Sequence, residues 1–393
     1  MNLYYEKGRE IVKKLLDLDY QAFFVGGFVR DYLLGIEPSD VDITTNALPK
    51  EIQKIFAKTK ATGIKYGTIS VYEDDFNYEV TTFRADMNYI DHRRPERVVF
   101  SEEIEEDLKR RDFTINALAM NYYGEITDLF SGKSDLEQKL IRAIGDPDLR
   151  FKEDALRILR AFRFVSKLDF DIESKTLDSI NKNIHLLSKI SNERILGEFK
   201  KIIDYPHHKK ALAMLYESKV SEVFPELEAG LRLLNSLKKF EINYLEFFAL
   251  CLYCANLDIP TTWRFSNKEK AYINKIVELV QVTENDTYNE MIIYRLGKDI
   301  PLMANKVSCL INPENNQEDL INDIYESLPI YKTCDLKFKG QDILELTTLK
   351  NAEIIGEIID DITYQIITNN LENKYEDIKQ YTLNLMESKY GKK

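Results

Sequence analysis

The chain has 393 residues, of which 44% are hydrophobic and 31% are charged, and its formal net charge is −12. A chain of this length is expected to form about two to four domains, and its negative charge excludes broad, sequence-blind attraction to nucleic acid. The sequence has no apolar run of about 18 residues, and its first residues lack a signal-peptide core. We therefore expect a cytoplasmic protein without a membrane-spanning helix.

The first informative pattern is a short strand followed by two glycines and a helix. The apolar residues 22–25 predict a buried strand, and residues 28–34 predict a helix. Gly26 and Gly27 lack a Cβ, so the backbone between these elements can turn and approach a ligand closely. The helix N-terminus presents free N–H groups at this turn, and Arg30 lies one turn inside the helix. The pattern is typical of a phosphate site, although a Gly-Gly turn alone is usually only a turn.

Two carboxylates follow on the next predicted strand, residues 40–45. Because side chains alternate along a strand, Asp40 and Asp42 are expected to lie on the same face. Such a pair repels unless a divalent cation lies between the carboxylates, and oxygen ligands favour Mg²⁺ over zinc. An Asp-x-Asp pair alone is common on solvated loops. Next to a phosphate site, it makes nucleotidyl transfer our leading hypothesis.

A pair of strands is predicted after a helix at residues 49–58. Residues 63–72 and 77–84 have the composition of paired strands, with an acidic turn between them. Glu79 lies on the second of these strands. It is a third candidate carboxylate if its strand pairs beside that of Asp40, and otherwise a surface glutamate.

Residues 85–100 form a polar segment that also contains basic and aromatic side chains. The segment shows no clear hydrophobic period. We therefore predict a mobile loop, which either takes part in function or is a plain surface loop.

A basic segment at residues 109–117 follows an acidic, amphipathic approach. In it, Arg111 can neutralise the charge of a triphosphate, while Asp112 and Asn116 can bond ribose hydroxyls. A plain basic helix cap is the alternative explanation of this segment.

Residues 153–164 predict a helix with one buried face. Its other side carries a charged stripe of residues three apart, namely Asp154, Arg157, Arg160 and Arg163. Such a stripe is usually a solvated, salt-bridged face. Here it predicts a reader of base and phosphate, because a carboxylate acceptor and a guanidinium donor one turn apart can point at one ligand.

From about residue 206 onward the chain is predicted to be helical, and no catalytic pattern is visible there. Cys251 and Cys254 have the spacing of a metal-binding pair, but they lie in an apolar helical stretch and no second pair follows. Structural zinc needs four ligands, so we predict buried helix cysteines. No obligate protein partner is evident.

Four motifs together resemble a known family. They are Gly-Gly-x-Val-Arg-Asp with Asp-x-Asp-x-x-Thr in residues 26–45, Arg-Arg-Asp-Phe-Thr-x-Asn-Ala in residues 110–117, Glu-Asp-x-x-Arg-x-x-Arg in residues 153–160, and the stretch 191–198. This set resembles the class II tRNA nucleotidyltransferases, or CCA-adding enzymes, and the bacterial poly(A) polymerases, of the polymerase β-like superfamily. The segment 85–100 is similar to the flexible loop of CCA-adding enzymes.

The resemblance implies a mixed α/β nucleotidyltransferase head followed by helical domains. The head is expected at residues 1–138 and a helical, base-reading neck at residues 139–205. The body at residues 206–328 and the tail at residues 329–393 are expected to bind tRNA. The stretch 191–198 resembles the motif that buttresses the neck helix, and its role is expected to be structural.

The resemblance also implies an activity, which is the template-independent addition of C, C and A to the 3′ end of tRNA. CTP and ATP would be the substrates, pyrophosphate the product and Mg²⁺ the cofactor. Alternatives are an enzyme that adds only A, a poly(A) polymerase, or an inactive tRNA-binding protein on the same scaffold. The implied metal ligands are Asp40 and Asp42, with Glu79 as a third catalytic carboxylate. The implied nucleotide-binding residues are Gly26, Gly27, Arg30, Arg111, Asp112, Asn116, Asp154, Arg157, Arg160 and Arg163.

Overall fold

The computed structural model describes residues 3–38, 40–90, 94–283, 286–346 and 352–389. The chain divides into two compact units. The first contains the residues up to Lys239 together with Thr261–Arg264, and the second contains Phe240–Pro260 and the residues from Phe265 onward. The four-domain division expected from the sequence is finer than this and stays a prediction.

The N-terminal part of the first unit is a sheet with helices. Its helices are α1 (Leu3–Leu16), α2 (Gly27–Leu33), α3 (Pro49–Ile55), α4 (Ile104–Lys109) and α5 (Gly132–Glu137). Its strands are β1 (Ala22–Val25), β2 (Asp42–Thr45), β3 (Thr59–Gly63), β4 (Thr68–Glu73), β5 (Phe76–Thr82), β6 (Arg84–Ile90), β7 (Arg94–Phe100), β8 (Leu118–Met120) and β9 (Ile126–Asp128).

Seven of these strands form one mixed sheet, in the order β3-β4-β5-β2-β1-β8-β9. Strands β2 and β5 are parallel, with Asp42 directly opposite Glu79, whereas the other neighbours are antiparallel. The condition under which Glu79 is a third candidate carboxylate, that its strand lies beside the strand of the paired aspartates, is therefore met. The strand itself begins at Asp42, so Asp40 lies in the segment that leads into it.

The structure corrects the prediction for residues 85–100. Strands β6 and β7 pair there as an antiparallel hairpin, while residues 91–93 lie outside the described residues. The prediction failed because hairpin pairing satisfies backbone groups between strands, which a polar sequence without a clear period does not reveal. The short strand β3, between the predicted helix at residues 49–58 and the predicted strand at residues 63–72, was not predicted.

Aromatic packing anchors the turn between β1 and α2. The ring of Phe24 on β1 lies 5.1 Å from that of Phe28 on α2, and Tyr5 on α1 lies 5.3 Å from each of them. Phe24 and Phe28 are buried. Burying side chains of this size is strongly favourable, so the glycines between these elements are held in a fixed place.

Helices dominate the rest of the first unit. They are α6 (Pro147–Glu153), α7 (Leu156–Leu168), α8 (Ser174–Asn183), α9 (Asn192–Asp204), α10 (His208–Glu217) and α11 (Glu228–Ser236). The short strands β10 (Leu140–Ile141) and β11 (Asp171–Ile172) pair in parallel. The helix predicted at residues 153–164 is wrong at its start, because Asp154 is extended, with φ −140° and ψ 99°, between α6 and α7. Its carboxylate accepts a hydrogen bond from the amide of Leu156, which favours a break over a continuous helix.

The second unit is helical, as expected. Its helices are α12 (Tyr244–Ala255), α13 (Asn267–Thr283), α14 (Glu290–Leu296), α15 (Asp299–Ile311), α16 (Glu318–Ser327), α17 (Gly340–Leu346), α18 (Ala352–Ile367) and α19 (Tyr375–Lys389). Cys251 is buried in α12, and Cys254 is half-buried one turn later. Among the described residues, no helix is long and apolar enough to cross a membrane.

Gly132 supports the segment that carries Asn116, and this generates a prediction. A Cβ on Gly132 would lie 2.3 Å from the carbonyl oxygen of Thr114, a backbone atom in the 3₁₀ turn Thr114–Asn116. We expect Gly132→Ala to lower the free energy of unfolding by about 1–3 kcal/mol, as overpacking does elsewhere. Urea unfolding followed by circular dichroism would measure the change.

Gly197→Ala is the matched control, because Gly197 lies within α9 and a Cβ there would meet open space. Among the described residues, no atom beyond its chain neighbours and the backbone of its own helix lies within 4 Å of the position that the Cβ would take. Alanine should leave stability unchanged there, or raise it by up to about 1 kcal/mol. Equal unfolding midpoints for wild type and Gly132→Ala would contradict the prediction.

Candidate active site

A cleft of about 820 Å³ lies in the first unit. Most of the site residues predicted from the sequence line it, and its charge contrasts with that of the acidic chain. Its lining includes ten cationic side chains: Arg30, Arg84, Arg110, Arg111, Arg157, Arg160, Arg163, Lys167, Arg194 and Lys201. The carboxylates in its lining are Asp40, Asp42, Asp112 and Asp154. Local basic residues of this density can attract a polyanion to an acidic protein.

The Gly-Gly turn brings three predicted features together. Gly26 has φ 67° and ψ −132°, a backbone conformation that favours glycine. A Cβ on Gly26 would lie 2.9 Å from Nη1 of Arg111 and 3.5 Å from Oδ2 of Asp42. A guanidinium and a carboxylate of the predicted metal pair therefore both lie next to the backbone turn.

The carboxylate of Asp42 lies within electrostatic range of Asp40 and Glu79. The pKa of Asp42 is raised to about 6, mainly because its carboxylate is buried and also because of the negative charges of Asp40 and Glu79. The positive charge of Arg111 acts in the opposite direction. Asp40 and Asp42 line the cleft, whereas Glu79 is solvent-exposed and lies outside the lining. Among the described residues, no group of three or more carboxylate, histidine or cysteine side chains is arranged to hold a metal ion. The structure thus brings together two of the three predicted carboxylates in the cleft.

Tyr4 belongs to this neighbourhood, and no sequence pattern indicated it. Its hydroxyl donates to the carbonyl of Asn77 at 2.7 Å and accepts from the amide of Val41 at 3.4 Å. Burial raises the pKa of Tyr4, as do the charges of the three neighbouring carboxylates. The hydroxyl therefore fixes the backbone between Asp40 and Asp42 to β5.

A chain of buried polar contacts links α2 to α7. Nη1 of Arg30 donates to Oδ1 of Asn116 at 2.7 Å, and Nδ2 of Asn116 donates to Oδ1 of Asp112 at 3.0 Å. Nε of Arg160 donates to the other oxygen of Asp112 at 2.7 Å. Burial would raise the pKa of Asp112, but the charge of Arg160 and the bonds from Asn116 and Arg160 hold it well below its usual range. The four residues form one network, which we call the Arg30–Arg160 network.

Three guanidinium groups surround one aromatic ring. The guanidinium carbons of Arg163, Arg30 and Arg160 lie 4.9, 5.2 and 5.7 Å from the ring centroid of Phe164. The edge of this nearly buried ring packs against Phe113, with centroids 5.7 Å apart. Cations are attracted to an aromatic face, so Phe164 lets like charges gather at one side of the cleft.

Buried carboxylates outside the cleft lining pair with cations that line it. Asp107 is fully buried, and Nη2 of Arg111 lies 3.1 Å from its carboxylate. Burial alone would raise the pKa of Asp107, but Arg110 and Arg111 together lower it below its usual value. Glu198 pairs with Arg163 at 3.0 Å. Such pairs hold the guanidinium groups in fixed positions, because a buried charge without a partner is costly.

The predicted base readers, Asp154 and Arg157, both line the cleft but do not share a helix. Asp154 accepts two bonds from Arg194, at 2.8 and 3.3 Å. Arg157 donates to Glu153 at 2.8 Å and to the carbonyl of Arg110 at 2.9 Å. The bond from Arg194 agrees with the structural role expected for residues 191–198.

Comparisons with known proteins extend over both units. The family model described as Poly A polymerase head domain matches residues 22–142. The models for a probable RNA and SrmB-binding site of polymerase A and for tRNA nucleotidyltransferase domain 2 match residues 169–231 and 244–382. The CCA-adding enzyme of Lactobacillus helveticus (strain DPC 4571) is 37% identical over 384 residues, which cover 95% of this chain and 96% of the relative. The chain belongs to the CCA-adding enzyme family.

Other CCA-adding enzymes support this assignment. That of Ligilactobacillus salivarius (strain UCC118) is 37% identical over 395 residues, with 98% of each chain covered. The crystal structure of the Bacillus stearothermophilus CCA-adding enzyme in complex with CTP superposes with a TM-score of 0.84 at 31% identity, covering 99% of each chain. The family resemblance and the fold class expected from the sequence, a mixed-sheet head followed by helices, are both confirmed.

As a CCA-adding enzyme, the chain is a tRNA nucleotidyltransferase. Enzymes of this kind are in general metal-dependent. Sequence reasoning had missed several side chains of the cleft and its supports, namely Tyr4, Tyr66, Arg84, Asp107, Phe164 and Lys167. They lie outside the recognisable spacings or contact the site only through long-range folding, so the sequence held little signal for them.

Proposed function

We propose that this chain adds C, C and A in turn to the 3′ end of tRNA, without a template, using CTP and ATP. The observation that carries this proposal is the convergence at Gly26 of a glycine turn, Arg111 and Asp42. A turn of this kind binds phosphate, a guanidinium neutralises it, and the adjoining carboxylates bind a divalent cation. In the reaction, the RNA 3′-oxygen forms a bond to the α-phosphorus, and the bond from that phosphorus to pyrophosphate breaks.

Asp40 and Asp42 fit Mg²⁺ as the metal. Burial, followed by the negative charge of Asp40, raises the pKa of Asp42 even with Arg111 nearby, and a divalent cation beside the two carboxylates would favour their charged forms. Mg²⁺ is commonly held by one or two carboxylates plus substrate phosphates, so a two-carboxylate site is sufficient. When bound, the ion would activate the RNA 3′-hydroxyl and stabilise the charge that develops on the departing pyrophosphate. Glu79 would contribute its negative charge from the neighbouring strand.

The arginines would bind and orient the triphosphate. Arg111 lies against the Gly26 turn, and its buried Nε has no hydrogen-bond partner among the residues that the structure describes. A phosphate oxygen would satisfy such a donor. Gly27 and Arg30 extend the same surface, and Arg160 and Arg163 add charge from α7. Asp112 and Asn116 would bond the ribose while they remain in the Arg30–Arg160 network.

Asp154 and Arg157 would select the base. Cytosine and adenine each carry an exocyclic amine beside an unprotonated ring nitrogen, whereas uracil and guanine carry a carbonyl beside a protonated nitrogen. A carboxylate acceptor and a guanidinium donor therefore complement C and A and oppose U and G. Arg194 would orient the carboxylate of Asp154 through their paired bonds.

The remaining expectations complete the proposal. The head is assigned to residues 1–138, the neck to 139–205, and the body and tail, which would hold tRNA, to 206–328 and 329–393. We place the protein in the cytoplasm. An enzyme that adds only A would extend tRNA ending in CC but not shorter tRNA, and a poly(A) polymerase would continue past one A.

Incorporation assays on wild type and on aspartate variants test the function and the metal assignment. Wild type should extend tRNA lacking CCA, CA or A with the matching nucleotide in the presence of Mg²⁺. Asp40→Ala and Asp42→Ala should abolish addition of both C and A and leave tRNA binding nearly unchanged, because the carboxylates serve the metal. Single-nucleotide incorporation and filter binding would measure the two effects. Incorporation within roughly tenfold of wild type, a barrier change of only about 1.4 kcal/mol, would refute the metal assignment.

Variants of Asp154 and Arg157 test base selection. A bidentate contact discriminates by about 1–3 kcal/mol, so Asp154→Ala and Arg157→Ala should relax rejection of UTP and GTP roughly tenfold to more than a hundredfold. Incorporation of all four nucleotides would be compared, with Lys201→Ala as a control in the cleft lining. Folded variants that still reject UTP and GTP as strongly as wild type would show that the two residues act only as structural ion pairs.

A further inference from the structure

The mouth of the cleft carries an exposed aromatic side chain that the nucleotide site does not use. Tyr66 ends the 3₁₀ turn Ile64–Tyr66, between β3 and β4, and lines the cleft while 39% exposed. Phe164, which also lines the cleft, is only 4% exposed. Tyr66 can therefore offer a ring to a ligand, whereas Phe164 is covered by the protein.

Arg84 accompanies the ring. Its guanidinium carbon lies 5.9 Å from the centroid of the Tyr66 ring, and its Nη1 donates to the carbonyl oxygen of Tyr66. Arg84 is the first residue of β6 and lines the same cleft. A tyrosine ring with a guanidinium beside it is a combination that binds nucleic acid, by stacking on a base and by pairing with a backbone phosphate.

The backbone fixes this pair relative to the catalytic carboxylates. Gly67 has φ 83°, and a Cβ there would lie 2.9 Å from the Phe100 ring, so glycine is needed at the turn. The amide of Thr82 donates to the carbonyl of Gly67 at 3.0 Å. Thr82 lies on β5 three residues beyond Glu79, which is paired with Asp42. Tyr66 is thus tied to the strand that runs beside the reaction centre.

The reaction itself needs a site of this chemistry. Before the first addition, the RNA ends in a nucleotide that differs among tRNAs, and before the second and third it ends in C. One site must hold each of these ends beside Asp40 and Asp42. Hydrogen bonding to base edges would reject some of them, whereas stacking tolerates all, because every base has a π face.

We propose that Tyr66 and Arg84 form a stacking subsite for the 3′-terminal base of the RNA that is being extended. The inference rests on the proposed function, since it assigns the RNA end to the cleft mouth and the incoming nucleotide to the arginine-rich interior. Tyr66 stacks on the terminal base, and Arg84 positions the ring and pairs with the adjoining phosphate.

The direct test is fluorescence of an RNA acceptor stem whose 3′-terminal nucleotide is 2-aminopurine, which is quenched when it stacks. Wild type and Tyr66→Phe should quench it, whereas Tyr66→Ala and Tyr66→Leu should not. In extension assays, Tyr66→Ala should raise the KM for RNA about tenfold or more for C and for A addition, as loss of one base–aromatic stack predicts. The Kd for CTP should change less than twofold.

Tyr72→Ala is the matched control, because Tyr72 is 36% exposed on β4 and lies outside the cleft lining. It should quench and extend like wild type. The subsite proposal would be wrong if Tyr66→Ala quenched the fluorescence as much as wild type and had an unchanged KM for RNA. The fluorescence measurement does not depend on catalysis, so it tests the subsite independently of the reaction. Failure of wild type to extend any RNA would instead overturn the proposed function.

Discussion

The ion pair between Asp112 and Arg160 is the contact on which the cleft depends. It joins the segment after α4 to helix α7, and it ends the network that begins at Arg30. Both oxygens of the buried Asp112 carboxylate accept hydrogen bonds, one from Arg160 and the other from Asn116. A buried carboxylate is tolerated only with such partners. The sheet-bearing part of the unit and helix α7 must therefore keep their relative positions, because otherwise the buried Asp112 carboxylate would lose its partner Arg160.

The same constraint explains how ten cations can line one cleft in an acidic protein. Several of them are neutralised on the side away from the cleft, where Asp107 faces Arg111, Asp31 faces Arg30 and Lys167, and Glu198 faces Arg163. Three of the guanidinium groups also lie within 6 Å of the Phe164 ring centroid, where the ring attracts each of them. This arrangement keeps the cations close together before a nucleotide arrives, so binding does not have to order them.

The sequence was sufficient for features set by local spacing. The Gly26 turn and the strand that carries Asp42 followed from glycine positions and alternation, whereas the pairing of that strand with the strand of Glu79 was left open. Features that depend on distant contacts were not predictable in this way. Arg194 lies 40 residues from Asp154, and although residues 191–198 were expected to support the neck helix, no spacing in the sequence indicated that Asp154 would be the partner of Arg194.

Two local predictions failed for identifiable reasons. Asp154 was placed on a helix because the charged residues recur every three positions, but its carboxylate instead accepts from the amide of Leu156 and ends α6. The β6–β7 hairpin was predicted as a loop because its stability comes from pairing between strands rather than from hydrophobic period. In both cases a hydrogen bond outside the periodic pattern decided the structure.

A double-mutant cycle on Asp112 and Arg160 tests most directly whether this pair holds the cleft together. The free energy of unfolding and the Kd for CTP would be measured for wild type, Asp112→Asn, Arg160→Gln and the double variant. The exposed pair Lys210–Asp171, 2.7 Å apart, would serve as a control with coupling of about 0–1 kcal/mol. We predict coupling of about 1–3 kcal/mol in stability, with the double variant binding CTP no worse than the weaker single variant. Additive losses in both quantities would contradict a shared network.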